Sequence, residues 1–223
     1  MTDARRPRRT RDDLRQQLLD SALVEFAAKG FDGASTRSIA KRVDAHQPQI
    51  NYHFASKEAL WECAVDHLFG LLAAALGDLG PLDEPDDPVV LGQALAEVLR
   101  RFVRFAAAHP ELNQIMVQEG TEETDRSRWM ADRYVRPWYD ATERVWGRLR
   151  AAGITAPIEP GRVYWVIVGA ASIPFVNAPE VRALTGDDPT APAWVERHAD
   201  DLVATLLPGL GEPPRTTPPA PEA

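Results

Sequence analysis

Ile50-Asn51-Tyr52-His53-Phe54, followed by Ser56-Lys57-Glu58, is the stretch on which the reading of this 223-residue chain turns. Two aromatic rings flank a histidine, and a lysine then stands where a new helical pattern begins. Side chains of this kind in this order make a surface that grips phosphates, not one that performs catalysis. Without the stretch the chain would read only as an acidic, mostly helical globule.

Upstream of it the pattern is helical. From Arg11, Leu14, Leu18, Ala22 and Phe26 recur every fourth position, and Leu19 and Leu23 widen them into one apolar face. Gly30 is expected to end this first helix in a left-handed conformation, with Phe31 folding back on the last turn. Ser35 or Thr36 is the cap candidate for a second helix whose apolar patch is Ile39, Ala40 and Val43. Asp44-Ala45-His46 is the turn. A third short helix, Gln47 to Phe54, tolerates Pro48 because the first-turn amide needs no helical partner.

Helices this short do not hold themselves together. The second and third are expected to pack on the first through Ile39, Ala40, Val43, Ala45, Ile50 and Phe54. Thr36, Arg37, Gln47, Gln49, Asn51, Tyr52 and His53 are then left facing outward, a set able to reach base edges and backbone oxygens together. Charge is distributed in the same sense. The chain carries −8 overall, but residues 1–60 hold eleven Lys and Arg against eight Asp and Glu, a net of +3, which leaves −11 for the remainder. A basic module can approach phosphates while an acidic body is held away from them.

Residues 11–60 resemble the DNA-binding domain of the tetracycline-repressor (TetR) family of transcriptional regulators. The matching elements are Phe26, Gly30, Phe31, Ser35-Thr36-Arg37, Ile39-Ala40, Ile50 to Phe54, and Ser56-Lys57-Glu58-Ala59-Leu60. The resemblance implies that Thr36 and Arg37 touch backbone or a base edge, that Gln47, Pro48, Gln49 and Asn51 face the major groove, and that Tyr52, His53 and Lys57 clasp phosphates. In two places the chain departs from the family. Asp44 stands where Gly is usual in the turn, and His46 stands where Ser or Thr usually caps the third helix. Imidazole caps poorly, so either the third helix starts looser or His46 meets a phosphate.

Beyond Lys57 the pattern lengthens. Leu60, Trp61, Ala64, Val65, Leu68, Phe69, Leu72 and Leu76 predict a long fourth helix, broken by Gly80-Pro81 and the acidic run Asp83 to Pro88. Periodicity resumes with Leu91, Leu95, Val98, Phe102 and Phe105 and stops at His109-Pro110, and a short segment with Leu112, Ile115 and Met116 follows. Thr124 to Ala152 reads as one long helix bent at Pro137. With no period-2 run the fold class is all-α: a basic arm (1–10), a helix-turn-helix domain (11–60), a helical effector-binding and dimerisation domain (61–210) and a disordered Pro-rich tail (211–223).

Two late segments suggest self-association. Val163 to Ser172, with Trp165, is apolar nearly all round, and Gly169 to Ser172 allows a second helix to approach closely. Trp194, His198, Leu202 and Leu206 form a stripe on a final helix from about Ala193 to Leu207, and the two helices are expected to build a four-helix dimer seam. In regulators of this family a cavity in the body binds a small molecule. Phe102, Met116, Tyr134, Trp138 and Trp165 are the pocket candidates, suited to an apolar or aromatic effector. The expected partners are therefore a near-palindromic double-stranded operator, a second copy of the chain and that effector, with release by the effector and repression as the regulatory sense.

Other classes fit less well. The longest apolar stretch read from the sequence, Val163 to Val176, is short for the roughly 20 residues of a membrane-spanning helix, and no apolar segment follows Arg5 to Arg9 as in a secretory signal. A cytoplasmic protein without a membrane partner is expected. A single cysteine, Cys63, allows no intrachain disulfide and reads as a structural thiol before a redox sensor. A P-loop, a dinucleotide-binding glycine fingerprint, a His-Glu-x-x-His helix and a Gly-x-Ser-x-Gly elbow are all missing, so neither an enzyme nor a cofactor or metal is expected. An architectural helical protein that keeps the DNA-reading shape without an effector is the remaining alternative.

Overall fold

The computed structural model describes residues 10–77 and 85–211, and every regular element among them is helical. In chain order these are α1 (Arg11–Gly33), α2 (Thr36–Arg42), α3 (Gln47–His53), α4 (Lys57–Leu76), α5 (Pro88–Ala108), α6 (Glu111–Gly120) and α7 (Asp125–Met130). A π-helical turn (Ala131–Val135) then leads to α8 (Arg136–Ala151), α9 (Pro160–Val176), α10 (Ala178–Thr185) and α11 (Pro192–Leu206). The Arg5 to Arg9 arm, the Gly80-Pro81 break with Asp83 and Glu84, and the Pro213 to Ala223 tail lie outside the described residues. The chain forms two compact units. One ends at Ala74 and takes in Glu111–Arg128, and the other comprises Ala75–Pro110 and runs on from Trp129. The first unit thus takes in most of α4, whose His67 meets Gln16 and Asp20 of α1, and α6, which packs on α1.

In the first unit, Thr10 and Asp13 close a reciprocal cap, each backbone N–H meeting the other's side chain at 3.1 Å. Leu18, Leu19, Ala22, Leu23 and Phe26 are buried along one face of α1, as the period of four requires. At Gly30 the backbone takes φ 68° and ψ 175°, a region open essentially to glycine alone, and the helix axis breaks there. Phe31 then stacks on Phe26, centroids 6.0 Å apart and planes 7° from parallel, and meets Trp61 edge-on at 6.5 Å. Beside the break, Gln118 Nε2 of α6 donates to the Ala27 carbonyl at 2.7 Å.

Two buried polar groups on α1 hold α2. Ser21 Oγ donates to the Ile39 carbonyl at 3.0 Å. Glu25, only 1% exposed, accepts from Lys29 Nζ (2.8 Å), the Ser35 N–H (3.4 Å), Ser38 Oγ (3.3 Å) and Arg42 Nη2 (3.0 Å). Burial alone pushes this carboxyl up. The hydrogen bonds from Lys29, Ser35 and Arg42 outweigh burial and hold it below the usual carboxylate range.

Of the two cap candidates for α2, Ser35 takes the role, accepting the Ser38 N–H. The helix closes with a Schellman pair, Ala45 N–H to the Ala40 carbonyl at 2.9 Å and Asp44 N–H to the Lys41 carbonyl at 3.3 Å. Asp44 is left-handed, φ 52°, where glycine would be unstrained. Ile39, Ala40, Ala45, Ile50 and Phe54 are buried as expected, and Val43 is half-buried.

α4 starts at Ser56, whose hydroxyl accepts the Ala59 N–H, and sets Leu60, Trp61, Ala64, Val65 and Leu68 into the core. It, and not residues 163–176, is the longest apolar helix. By length and composition it is sufficient to cross a membrane, yet those residues are covered by the chain itself, as in a core helix.

In the second unit α11 packs on α5, α8 on α9, and α5 on α9. Trp146 is fully buried, and its Nε1 donates to the Ile158 carbonyl at 2.9 Å. Gly209 sits so close to the backbone of Ile154 that a Cβ would lie 2.5 Å from Ile154 Cα, so no larger residue fits without a shift. The single helix expected over Thr124 to Ala152 is interrupted. Its break is the π-turn, in which Arg136 N–H reaches back to the Ala131 carbonyl, immediately before Pro137 removes a donor.

Part of the expected dimer seam is covered within the chain itself. Leu202 and Leu206 are buried within the chain, and His198 Nε2 bonds the Ala170 carbonyl at 2.8 Å. Pro174, four residues beyond Ala170, lacks the N–H that would bond that carbonyl, so the histidine fills the gap. Trp194 is half-buried, stacked on His198 and edge-on to Phe175. Ser172 is also buried, its hydroxyl on the Val168 carbonyl. What α9 leaves exposed is Trp165 (63%), Val166 (40%) and Ile173 (45%), with open space over Gly169.

Glu25→Gln is expected to lower stability by about 1–3 kcal/mol at pH 7, because it leaves two half-exposed cations and two donors without their anion. A depressed carboxyl contributes in full above its unfolded value of about 4.3 and loses that contribution as pH falls through the folded value. Thermal melting from neutral to acid pH should therefore show the gap between native protein and variant closing below about pH 4.

Candidate nucleic-acid interface

The exposed face of the first unit is built outward from the core described above. With Ile39 and Ala40 pinned to α1 and Ile50 and Phe54 buried, helical spacing turns Arg37, Gln47, Pro48, Gln49, Asn51 and Tyr52 to the surface, Tyr52 being 66% exposed. Thr36 and His53 are half-buried at its edges. Gln47 Nε2 lies 3.4 Å from Thr36 Oγ1, which ties the start of α3 to the start of α2. The nine residues singled out from the sequence thus divide. Eight gather on this face of α2 and α3, and Lys57 stands at the start of α4.

A groove of about 530 Å³ runs between the start of α1 (Thr10, Arg11, Leu14) and α3 (Pro48, Gln49, Tyr52, His53). The Arg11 guanidinium lies 5.0 Å from the centroid of the Tyr52 ring, and Arg15 lies 5.5 Å from that of Phe54. Tyr52 and His53 meet edge to face at 5.3 Å. Burial, and after it the charges of Arg11 and Arg15, hold the His53 imidazole below its ordinary value, with Asp12 opposing them. Histidine here is mainly neutral near pH 7. Arg11 and Arg15 were missed as site residues in the sequence. The signal available was their position on the first two turns of a helix whose far side is apolar.

Lys57 has partners inside the chain. Its Nζ donates to the Asp32 carbonyl at 3.2 Å and lies 4.7 Å over the Phe31 ring, while the Arg126 guanidinium lies 3.8 Å from the same centroid and pairs with Glu119 at 3.2 Å. The cation at a helix start thus has an internal reason for its place. Two of its three N–H donors remain for an anion. His46 is exposed, and its N–H is met by Gln49 Oε1 at 2.8 Å, so the first turn of α3 is closed by the glutamine.

Met116 lies on α6 in the first unit, while Phe102, Tyr134, Trp138 and Trp165 belong to the second, where Trp165 is 63% and Trp138 36% exposed. A small cavity of about 210 Å³ in the second unit is lined by α5, α11 and the segment after it, including Gln93, Arg100 and Leu207. Cys63 is half-buried, with Arg15 Nη2 3.7 Å from its sulfur. Among the described residues no group of three or more His, Cys, Asp or Glu is placed to hold a metal ion.

Two family models match the chain. Residues 18–63 fit bacterial regulatory proteins of the tetR family, and residues 92–206 fit the tetracyclin repressor-like C-terminal domain. Among curated proteins, the chain is 32% identical over 63 residues to the biofilm operon icaADBC HTH-type negative transcriptional regulator IcaR of Staphylococcus aureus, covering 26% of this chain and 34% of that one. It is 29% identical over 122 residues to the HTH-type transcriptional repressor BdcR of Escherichia coli, covering 55% and 59%. The matched part is thus less than two thirds of either relative's length. The solved structure of AibR in complex with isovaleryl coenzyme A and operator DNA shares the fold, with a TM-score of 0.63 at 17% identity over 87% of this chain and 98% of that one. An exposed helix-turn-helix face packed on α1, an all-helical second unit and two family models spanning both point to one conclusion: the chain belongs to the tetR family of bacterial regulatory proteins.

Proposed function

We propose that the protein is a repressor that binds a near-palindromic operator as a homodimer in the cytoplasm and is released by a small-molecule effector. The observation that carries the DNA part is the sorting on α2 and α3: the apolar residues are buried, and Arg37, Gln47, Gln49, Asn51 and Tyr52 all face outward. Residues at the start of α3 meet base edges, and Arg37, Tyr52, His53 and Lys57 meet phosphates on either side. The protein acts by binding and not by catalysis.

Dimerisation is supported by the α9 face, where Trp165, Val166 and Ile173 lie exposed on either side of a glycine with open space above it. Two copies joined there would present two α3 helices to half-sites one turn of duplex apart, about 34–36 Å. A small-molecule effector is supported by AibR, a neighbour in fold whose structure holds isovaleryl coenzyme A together with operator DNA. An effector weakens operator binding only by the difference in its affinity for the two states. A thermal-shift screen of acyl thioesters and aromatic acids, followed by operator release with each stabilising compound, tests this part.

Lys57→Met keeps an apolar stem over Phe31 but removes the charge. Operator binding should weaken alike across sequences, and the slope of log affinity against log salt should fall by about one, measured by fluorescence anisotropy between low and moderate salt. An unchanged slope in a folded variant removes Lys57 from the phosphate contacts. A phosphate beside His53 pulls its value up from the depressed free-state value, so the complex takes up a proton. Affinity should rise as pH falls from about 7.5 to about 5.5, and His53→Gln should flatten that dependence. Trp165→Glu with Ile173→Glu should yield monomers in light scattering and reduce operator affinity at least tenfold, roughly the loss expected when two heads no longer bind together.

A further inference from the structure

Gln49 is the third residue of α3, on the exposed face assigned above to the major groove. Its amide does not present both ends to a partner. Oε1 accepts the His46 N–H at 2.8 Å, while the Gln49 N–H donates to the His46 carbonyl at 2.8 Å. Only an oxygen can meet a backbone N–H, so chemistry fixes which end of the amide is tied down. A glutamine in this place supplies one half of a capping box, and it does so where His46 replaces the usual Ser or Thr. What remains for a partner is the Nε2 group, a pair of donors.

An unconstrained glutamine pairs with adenine at two points, donating to N7 and accepting from N6. With its oxygen turned to the His46 N–H, the amide does not face a base edge with both ends, and turning it to pair with adenine at two points would orphan that N–H. Donors alone match the edge of guanine, where O6 and N7 are adjacent acceptors, and next the O4 of thymine. We infer that Gln49 is a specificity-determining residue that reads a keto base, guanine before thymine, through its amide nitrogen while its oxygen holds the first turn of α3. The inference rests on the DNA-binding reading above and deepens it.

Gln49→Glu separates the two roles. The carboxylate keeps an acceptor for the His46 N–H, has no donor, and turns a second acceptor outward, which matches the N4 amine of cytosine. Selection of bound sites from randomised duplexes should give the native full-length protein guanine or thymine at one position of each half-site, preferred by roughly three- to tenfold, the size one neutral hydrogen bond supplies. The glutamate variant should melt at or above the native temperature and move that position to cytosine. Gln49→Ala should melt lower and lose preference at that position alone. Adenine at the position in the native selection, an unchanged motif from the glutamate variant, or a lowered melting temperature for it overturns the assignment while leaving operator binding intact. A native selection with no enriched site overturns the DNA-binding reading and this inference with it.

Discussion

The carboxylate of Glu25 is the group on which the geometry of the helix-turn-helix unit depends. A charge 1% exposed on the apolar side of a helix is costly unless its oxygens are fully matched. Here they meet Lys29 one turn on, the N–H of the α2 cap residue Ser35, the Ser38 hydroxyl and the Arg42 guanidinium at the far end of α2. Three of the four partners belong to the cap or body of one short helix, so satisfying the carboxylate fixes both the position and the rotation of α2. Apolar contacts through Ile39 and Ala40 would by themselves tolerate sliding. The directional bonds do not, and α3 inherits its orientation through the tight Asp44-Ala45 turn.

A second consequence concerns the end of α1. Gly30 breaks the helix, Phe31 folds onto Phe26, and the neighbouring carbonyl of Ala27 is met by Gln118 of α6. The same ring carries Lys57 and Arg126. Residues far apart in sequence thus converge on one aromatic ring within the first unit, and Lys57, a phosphate candidate, shares it with a guanidinium paired to the buried Glu119. Cations over an aromatic face need little burial to be oriented, which leaves the remaining donors of Lys57 directed by packing and not by chance.

The helices, the break at Gly30, a hydroxyl cap at Ser35 or Thr36 and the left-handed Asp44 were legible because each follows from local rules: a period of four, a residue free of Cβ strain, a short hydroxyl side chain and a small polar residue tolerant of positive φ. Glu25 was legible only as part of a helix. Its position on the stripe of Leu18, Ser21 and Ala22 was the sign that it is buried, but nothing local names Arg42 or Ser38 as its partners. The apolar stripe of Leu202 and Leu206 is covered within the chain, where α11 packs on α5; periodicity says that a face is covered and not by what. Aromatic content likewise gives no depth, and Trp165 and Trp138 reach the surface.

What the sequence determined by itself is the set of helices of the first unit and which face of each is polar, because hydrogen bonding, caps and hydrophobic period act within a few residues. Tertiary structure decided which polar atoms remain available on the exposed face. Gln49 loses its oxygen to the His46 N–H, Lys57 shares its ammonium with Asp32, and His198 completes the carbonyl that Pro174 leaves open. Each is a contest between an internal partner and an external one. Its outcome depends on distances of about 3 Å between groups that side-chain type and spacing leave undetermined.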